Sequence, residues 1–264
     1  MALPKAKQDA TEAFLAQVTL PEGAAWASAA RKAALERLRE MGVPVRRDEY
    51  WRFTRPETLF ERPAPEAAVF VAEEEPVFGA IDRLKLVFVD GVFDAAASDD
   101  PTMEGVEITR LSQAAAADIH WARDLYGVLE ARGQADVPRP LAALNSATAT
   151  DGVVIRVTGK PSRPISLIYL HRDRTSDVVM HHLVRVEPGA ELTLLENGPA
   201  AARFNKCMEV EVAKGGTFHH VRAQGRDHER RCVSHMFGRL ADEATYKSFT
   251  LTANGVLTRN EQVL

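Results

Sequence analysis

Only two cysteines, Cys207 and Cys232, occur in 264 residues. That rules out a disulfide scaffold and points to a reducing compartment, the cytoplasm. No apolar run approaches the roughly 20 residues of a membrane helix. At the N-terminus, MALPKAKQDATEAF carries Asp9 and Glu12 where a signal peptide needs its apolar stretch. Charge of one sign is not in excess. With 33 Lys and Arg against 37 Asp and Glu, net −4, neither nucleic acid nor an anionic membrane is an expected partner. GxSxG, P-loop, GxGxxG, HExxH and CxxC are all missing, and with them the common nucleophile, nucleotide and zinc signatures. No catalytic, cofactor-binding or metal-ligating residue is assigned.

What is present is a repeat. VRVEPGAELTLL (184–195), VEVAKGGTFHHV (210–221) and GRLADEATYKSF (238–249) align with offsets of 26 and 28. Val186 falls on Val212 and Leu240, and Leu192 on Phe218 and Tyr246. Upstream, Ile165 of RPISLIYL precedes Leu192 by 27. A period in this range marks a solenoid or repeat array. Each unit alternates apolar and polar residues, breaks at PGA, KGG or DEA, and alternates again. The pattern predicts two short strands per coil, with like positions stacked about 4.8 Å apart. The fold class is mainly β, a β-solenoid.

Alternation also assigns faces. Val184, Val186, Val210, Val212 and Leu240 face the core, and the odd positions face out. Arg185 then stacks on Glu211 and Glu211 on Arg239, an alternating charge column that exposed stacked strands favour. His181, Cys207 and His235 form a second outward column. It reads either as surface polar residues or as a minimal site for a thiophilic metal. The pairs His181-His182 and His219-His220 cannot chelate through both rings, because strand neighbours point to opposite faces. Cys232 and His235 fail likewise, three positions apart. Glu73-Glu74-Glu75 reads as a solvated loop.

The first 150 residues are different in kind. Trp26, Ala30, Ala34, Leu38 and Met41 recur at helical spacing, with Arg31, Lys32, Arg39 and Glu40 elsewhere, and Gly42 and Pro44 end the helix. LKLVFVDGVF (84–93) reads as strand, Asp90-Gly91 turn and strand start. Residues 113–133 are Ala-rich and predicted helical, and PLAALNSATATDG (140–152) reads as a helix running into a turn. The expected division is an N-terminal helical domain, 1–150, and a β-helix core, 151–264. Between them in character stands Tyr50-Trp51-Arg52-Phe53, flanked by Arg46 and Arg47. It serves either as a binding surface or, as favoured here, to dock the N-terminal helices.

These segments are also familiar. GVPVRRDEYWRFTRPETLF (42–60) resembles the basic stretch and E-x-W-R/K-x-T pattern of the SufB/SufD family. LVFVDGVF (86–93), PLAALNSATATDGVVIRV (140–157), RPISLIYL (163–170), LVRVEPGAELTLLEN and VLTRNE follow in that family's order, closest to its SufD branch. The resemblance implies an N-terminal helical domain packed on a right-handed parallel β-helix. It implies a non-catalytic part in the SUF iron–sulfur assembly scaffold, where SufD pairs with SufB and each docks the ATPase SufC. Clusters are built on SufB, with SufD assisting assembly or iron entry. No firmly bound cofactor is implied for this chain.

Family members continue beyond the equivalent of LTRNEQVL, so the resemblance places the remaining coils outside this sequence. A solenoid edge left open this way would favour self-association. Two other readings are weaker. A β-helix carbohydrate-active enzyme needs a carboxylate pair at glycosidase spacing on one face, and the outward columns supply none. A hexapeptide acyltransferase needs coils that repeat in sixes.

Overall fold

The computed structural model describes residues 3–69, 77–225 and 227–264. Glu73-Glu74-Glu75 lies outside the described residues. The helices are α1 (Lys5–Leu15), α2 (Ala25–Met41), α3 (Leu111–Ala116), α4 (Val128–Arg132) and α5 (Pro140–Thr148). The first strands are β1 (Leu84–Val89), β2 (Val92–Asp94), β3 (Val106–Arg110), β4 (Val153–Val157), β5 (Ile165–Leu170) and β6 (Asp177–Val186). They are followed by β7 (Glu191–Gly198), β8 (Arg203–Val212), β9 (Thr217–Gln224), β10 (Arg231–Leu240), β11 (Thr245–Thr252) and β12 (Leu257–Val263). No helix among the described residues is long and apolar enough to cross a membrane.

From β4 onward the chain alternates between two sheets. One runs β11-β9-β7-β5-β1-β2 and the other β12-β10-β8-β6-β4-β3. Pairing is parallel except at β1–β2 and β3–β4. This is the expected parallel β-helix, with about four turns. Both sheets reach upstream of residue 150, because β1 joins β5 and β3 joins β4.

The stacking follows the sequence repeat. Val186 pairs with Val212 and Val212 with Leu240; Leu192 pairs with Phe218 and Phe218 with Tyr246. Ile165 is the exception. It lies beside Leu194, not Leu192. The connection 171–176 holds two residues more than its counterpart 199–202 in the next coil, so a uniform period fails there. At the opposite bend, Gly189 and Gly215 stand at φ 70° and 65°, and Glu243 takes the same left-handed position one coil later. Gly189 N donates to Lys214 O and Gly215 N to Asp242 O, each at 3.1 Å, so the ladder continues through the turn. Glycine occupies that backbone conformation at no steric cost.

The inward faces form one apolar core that includes Leu86, Ile155, Leu167, Val184, Val210 and Phe218. The outer face of the β12–β3 sheet is covered by the N-terminal elements. Leu183, Cys207 and Phe237 pack there with Leu125, Tyr126 and Leu129. Helix α5 is buried along its length, and Asn145 Nδ2 donates to the carbonyls of Met180 (3.0 Å) and Asn205 (2.9 Å). In α2, Ala34 and Leu38 are buried as the spacing predicts. Arg31, expected on the polar side, is buried too. Its guanidinium donates to the carbonyls of Pro21 (3.1 Å), Glu22 (2.8 Å) and Ala149 (3.4 Å), which replaces the lost water.

The single helix expected over 113–133 is broken. Alpha-helix ends at Ala116, a 3₁₀ turn spans Trp121–Asp124, and Gly127 at φ 71° precedes α4. Alanine favours helix, but Leu125 and Tyr126 gain more by seating on the sheet. The Asp90-Gly91 hairpin forms as read, with both residues at positive φ. Of the aromatic cluster, only Trp51 docks. It is buried against Phe14, Leu38 and Leu257, with the Arg259 guanidinium 4.2 Å from its ring centre. Tyr50 and Phe53 remain exposed.

Candidate functional site

A dense set of ionisable groups lies inside the solenoid. Along β7 the inward positions run Leu192, Leu194 and then Glu196, and along β8 they run Val212, Val210, Met208 and then Lys206. On these two strands the apolar run thus gives way to an ionisable side chain further along. Arg222 stacks on Glu196 and His220 on Leu194 one coil later. Lys206 reaches across from the opposite sheet. Its Nζ donates to both oxygens of Glu196, at 2.6 and 2.7 Å. His220 Nε2 is 2.6 Å from Glu196 Oε1, and Tyr169 OH donates to Oε2 at 3.0 Å. Lys206 and His220 are 2% exposed, Glu196 not at all.

Burial and charge pull against each other here. Burial pushes the Glu196 carboxyl up, but Lys206, His220 and Arg222 outweigh it and hold it well below the usual carboxylate range. Burial, with Arg222 nearby, pulls Lys206 down to about 8 against the attraction of Glu196. Burial also lowers His220 and takes His182 to about 3. Burial and then the Glu196 charge raise Tyr169 well above its ordinary value. The network fixes the His182 tautomer. Val153 N donates to Nδ1 at 3.1 Å, so the proton sits on Nε2, which faces Tyr169 OH at 3.0 Å. A directed chain results: His182 to the Tyr169 oxygen, and Tyr169 to Glu196.

Next to it lies a cationic corner. Arg222 donates to Ser234 Oγ at 2.6 Å. The Gln224 amide oxygen accepts from Arg222 Nη2 (2.9 Å) and Arg230 Nη1 (3.1 Å). The Cys232 thiol is 2.9 Å from the same end of that amide.

The His181/Cys207/His235 column has the register expected of it, each pair being direct strand neighbours. Its setting is not the one expected. The column is no surface feature; all three residues are buried, beneath the N-terminal elements. Sequence parity shows only that they face away from the solenoid interior, and the N-terminal segments then cover that face. His181 Nε2 is held by Glu209 Oε1 at 2.8 Å, with the Tyr126 ring 4.6 Å away. Glu209 also accepts the backbone N–H groups of Gly127, Leu129 (2.6 Å) and Glu130 (3.0 Å) at the start of α4. His235, taken down to about 4 by burial, lies 3.9 Å from Glu261. Burial, then Glu209 and Glu130, push the Cys207 thiol well above its ordinary value. That disfavours the thiolate a metal needs. No group of three or more His, Cys, Asp or Glu among the described residues could hold a metal ion.

The charge column behaves as read. Arg185 Nε is 2.8 Å from Glu211, Arg239 also pairs with Glu211, and the group is partly exposed. His181 and His182 face opposite ways, as do Cys232 and His235: Cys232 belongs to the interior core, while His235 stacks beside Phe237 outside it. The interior network went unread in the sequence although the signal was there. Lys206, Glu196 and Arg222 all occupy inward parity on their strands.

Family models match both parts of the chain. "SufBD protein N-terminal region" matches residues 16–163, and "SUF system FeS cluster assembly, SufBD core domain" matches 169–264. The chain is 24% identical over 241 residues to the iron–sulfur cluster assembly protein SufD of Escherichia coli (strain K12). That alignment covers 86% of this chain and 53% of the relative, so the chain spans about half its length.

Proposed function

The chain belongs to the SufBD family of the SUF iron–sulfur cluster assembly system, and from that premise we propose that it acts as a non-catalytic subunit of the assembly scaffold. It pairs with SufB and with the ATPase SufC, and assists cluster assembly or iron entry. The cluster is cargo of the complex and no resident cofactor of this chain. The observation that carries the non-catalytic reading is burial. Glu196, Lys206, His220 and Tyr169 are buried inside the coil, where they brace two sheets against each other.

Co-expression with SufB and SufC from the same genome, followed by affinity purification, tests the proposal. Retention of both partners in fixed ratio is expected. If the full-length form from that genome retains neither, the reading fails.

A second reading, self-association, is favoured by Phe249 and Leu251, which are 61% and 55% exposed on the outward face of β11. Concentration-dependent sedimentation is then expected, and a monomer at every accessible concentration excludes it.

A further inference from the structure

Residues 46–55, between α2 and the 3₁₀ turn Pro56–Leu59, hold an aromatic ring almost wholly in water: Phe53 is 91% exposed. Tyr50 is 54% exposed, and Arg46, Arg47, Arg52 and Arg55 are exposed as well. A loose loop is not the cause. Between the two exposed rings, Trp51 is buried under Arg259, and Arg259 Nη1 donates to Tyr50 O at 2.7 Å. Asp48 Oδ2 accepts from Lys7 Nζ (2.8 Å) and Val45 N (3.0 Å), and Thr54 Oγ1 donates to Trp51 O. The backbone that presents the rings is therefore tied at three points. Several other arginines pair with carboxylates, as Arg139 does with Glu261 and Arg203 with Asp177. Among the described residues the four loop arginines have no ion-pair partner, and Arg52 only lies 5.6 Å from the Phe53 ring centre.

We infer that this loop is a preformed docking platform for a carboxylate-bearing segment of a partner protein. Tyr50 and Phe53 receive an apolar side chain, and the arginines receive the flanking acids through forked hydrogen bonds. Tyrosine and arginine around a rigid anchor are the composition of interface hot spots. The charge favours a protein over a polyphosphate. Glu49 sits exposed among the arginines and the whole chain is net −4. Nucleic acid or an anionic bilayer requires a continuous basic track. The inference stands apart from the proposed role in SUF assembly, because it uses only the loop.

The test pans the full chain against a random-peptide phage library and titrates the enriched peptides by fluorescence anisotropy. Enriched sequences should place Asp or Glu on either side of an aromatic or aliphatic residue. Phe53→Ala and Arg52→Glu should each weaken binding by about tenfold or more. Arg132→Glu, a surface arginine elsewhere, should not. Both loop side chains lie outside the core, so melting temperatures should match the wild type. The inference is overturned if no acidic peptide is enriched, or if the loop variants bind as well as the wild type. It is equally overturned if a single-stranded oligonucleotide or phosphatidylserine vesicles bind more tightly through the same residues.

Discussion

Two buried carboxylates, one on each side of the solenoid wall, meet the same cost of leaving water in different ways. Glu196, inside, is held by Lys206, His220 and the Tyr169 hydroxyl, all side chains from other strands. Glu209, outside and beneath the helical region, is held by three backbone N–H groups at the start of α4 and by His181. The interior solution matches charge with charge, and removing one partner strands the other. The outer solution matches charge with fixed dipoles, which a neutral acceptor still partly satisfies. The first ties sheet to sheet. The second ties the helical region to the solenoid.

Glu196→Gln should produce the largest effect, a loss of about 3–5 kcal/mol in urea unfolding, because Lys206 is left as an uncompensated buried cation. Adding Lys206→Met should recover much of that loss. If the double variant is no better than the single one, the pair does not work by charge matching. Glu209→Gln should cost less, about 1–3 kcal/mol, since its amide oxygen still accepts from α4. Equal losses for Glu196→Gln and Glu209→Gln would erase the distinction drawn here.

Acid should weaken the interior network through His182. The folded pKa of His182 is about 3, against about 6.5 unfolded. The unfolded chain therefore takes up the proton first, and stability declines as pH falls below about 6.5 and keeps declining towards 3. Between about pH 7 and pH 5 this amounts to roughly 1–2 kcal/mol. Urea midpoints for His182→Gln should fall less steeply with acid than those of the wild type. The smallest effect belongs to the solvent-facing column. Arg239→Ala should cost only about 0.2–1 kcal/mol by chemical unfolding, and less at high salt.

The two regions were also unequally legible. Val186, Val212 and Leu240 could be stacked from the sequence because consecutive coils repeat the same turn, and the side-chain period of two assigns their face. Ile165 was misplaced because the register also depends on a connection whose length changes, 171–176 against 199–202. Arg31 was placed off the apolar stripe but lies on the buried face with Ala27, Ala34 and Leu38, whereas the His181/Cys207/His235 column was assigned to the correct face of its strands. Yet facing away from one core does not mean facing water. Lys206 and Glu196 both have inward parity, but they stand on different sheets, and no local pattern says which residues meet across the interior.

What the sequence determined by itself was the coil: its strands, the way most of them stack and which side chains point inward. These follow from periodicity and turn chemistry, which act between near neighbours. Only the tertiary structure decided what each face meets: Lys206 on Glu196, α4 on Glu209, and the helical region over His181 and Cys207. Those contacts join segments far apart in the chain, and burial there is set by whatever packs on top, a quantity that no local spacing encodes.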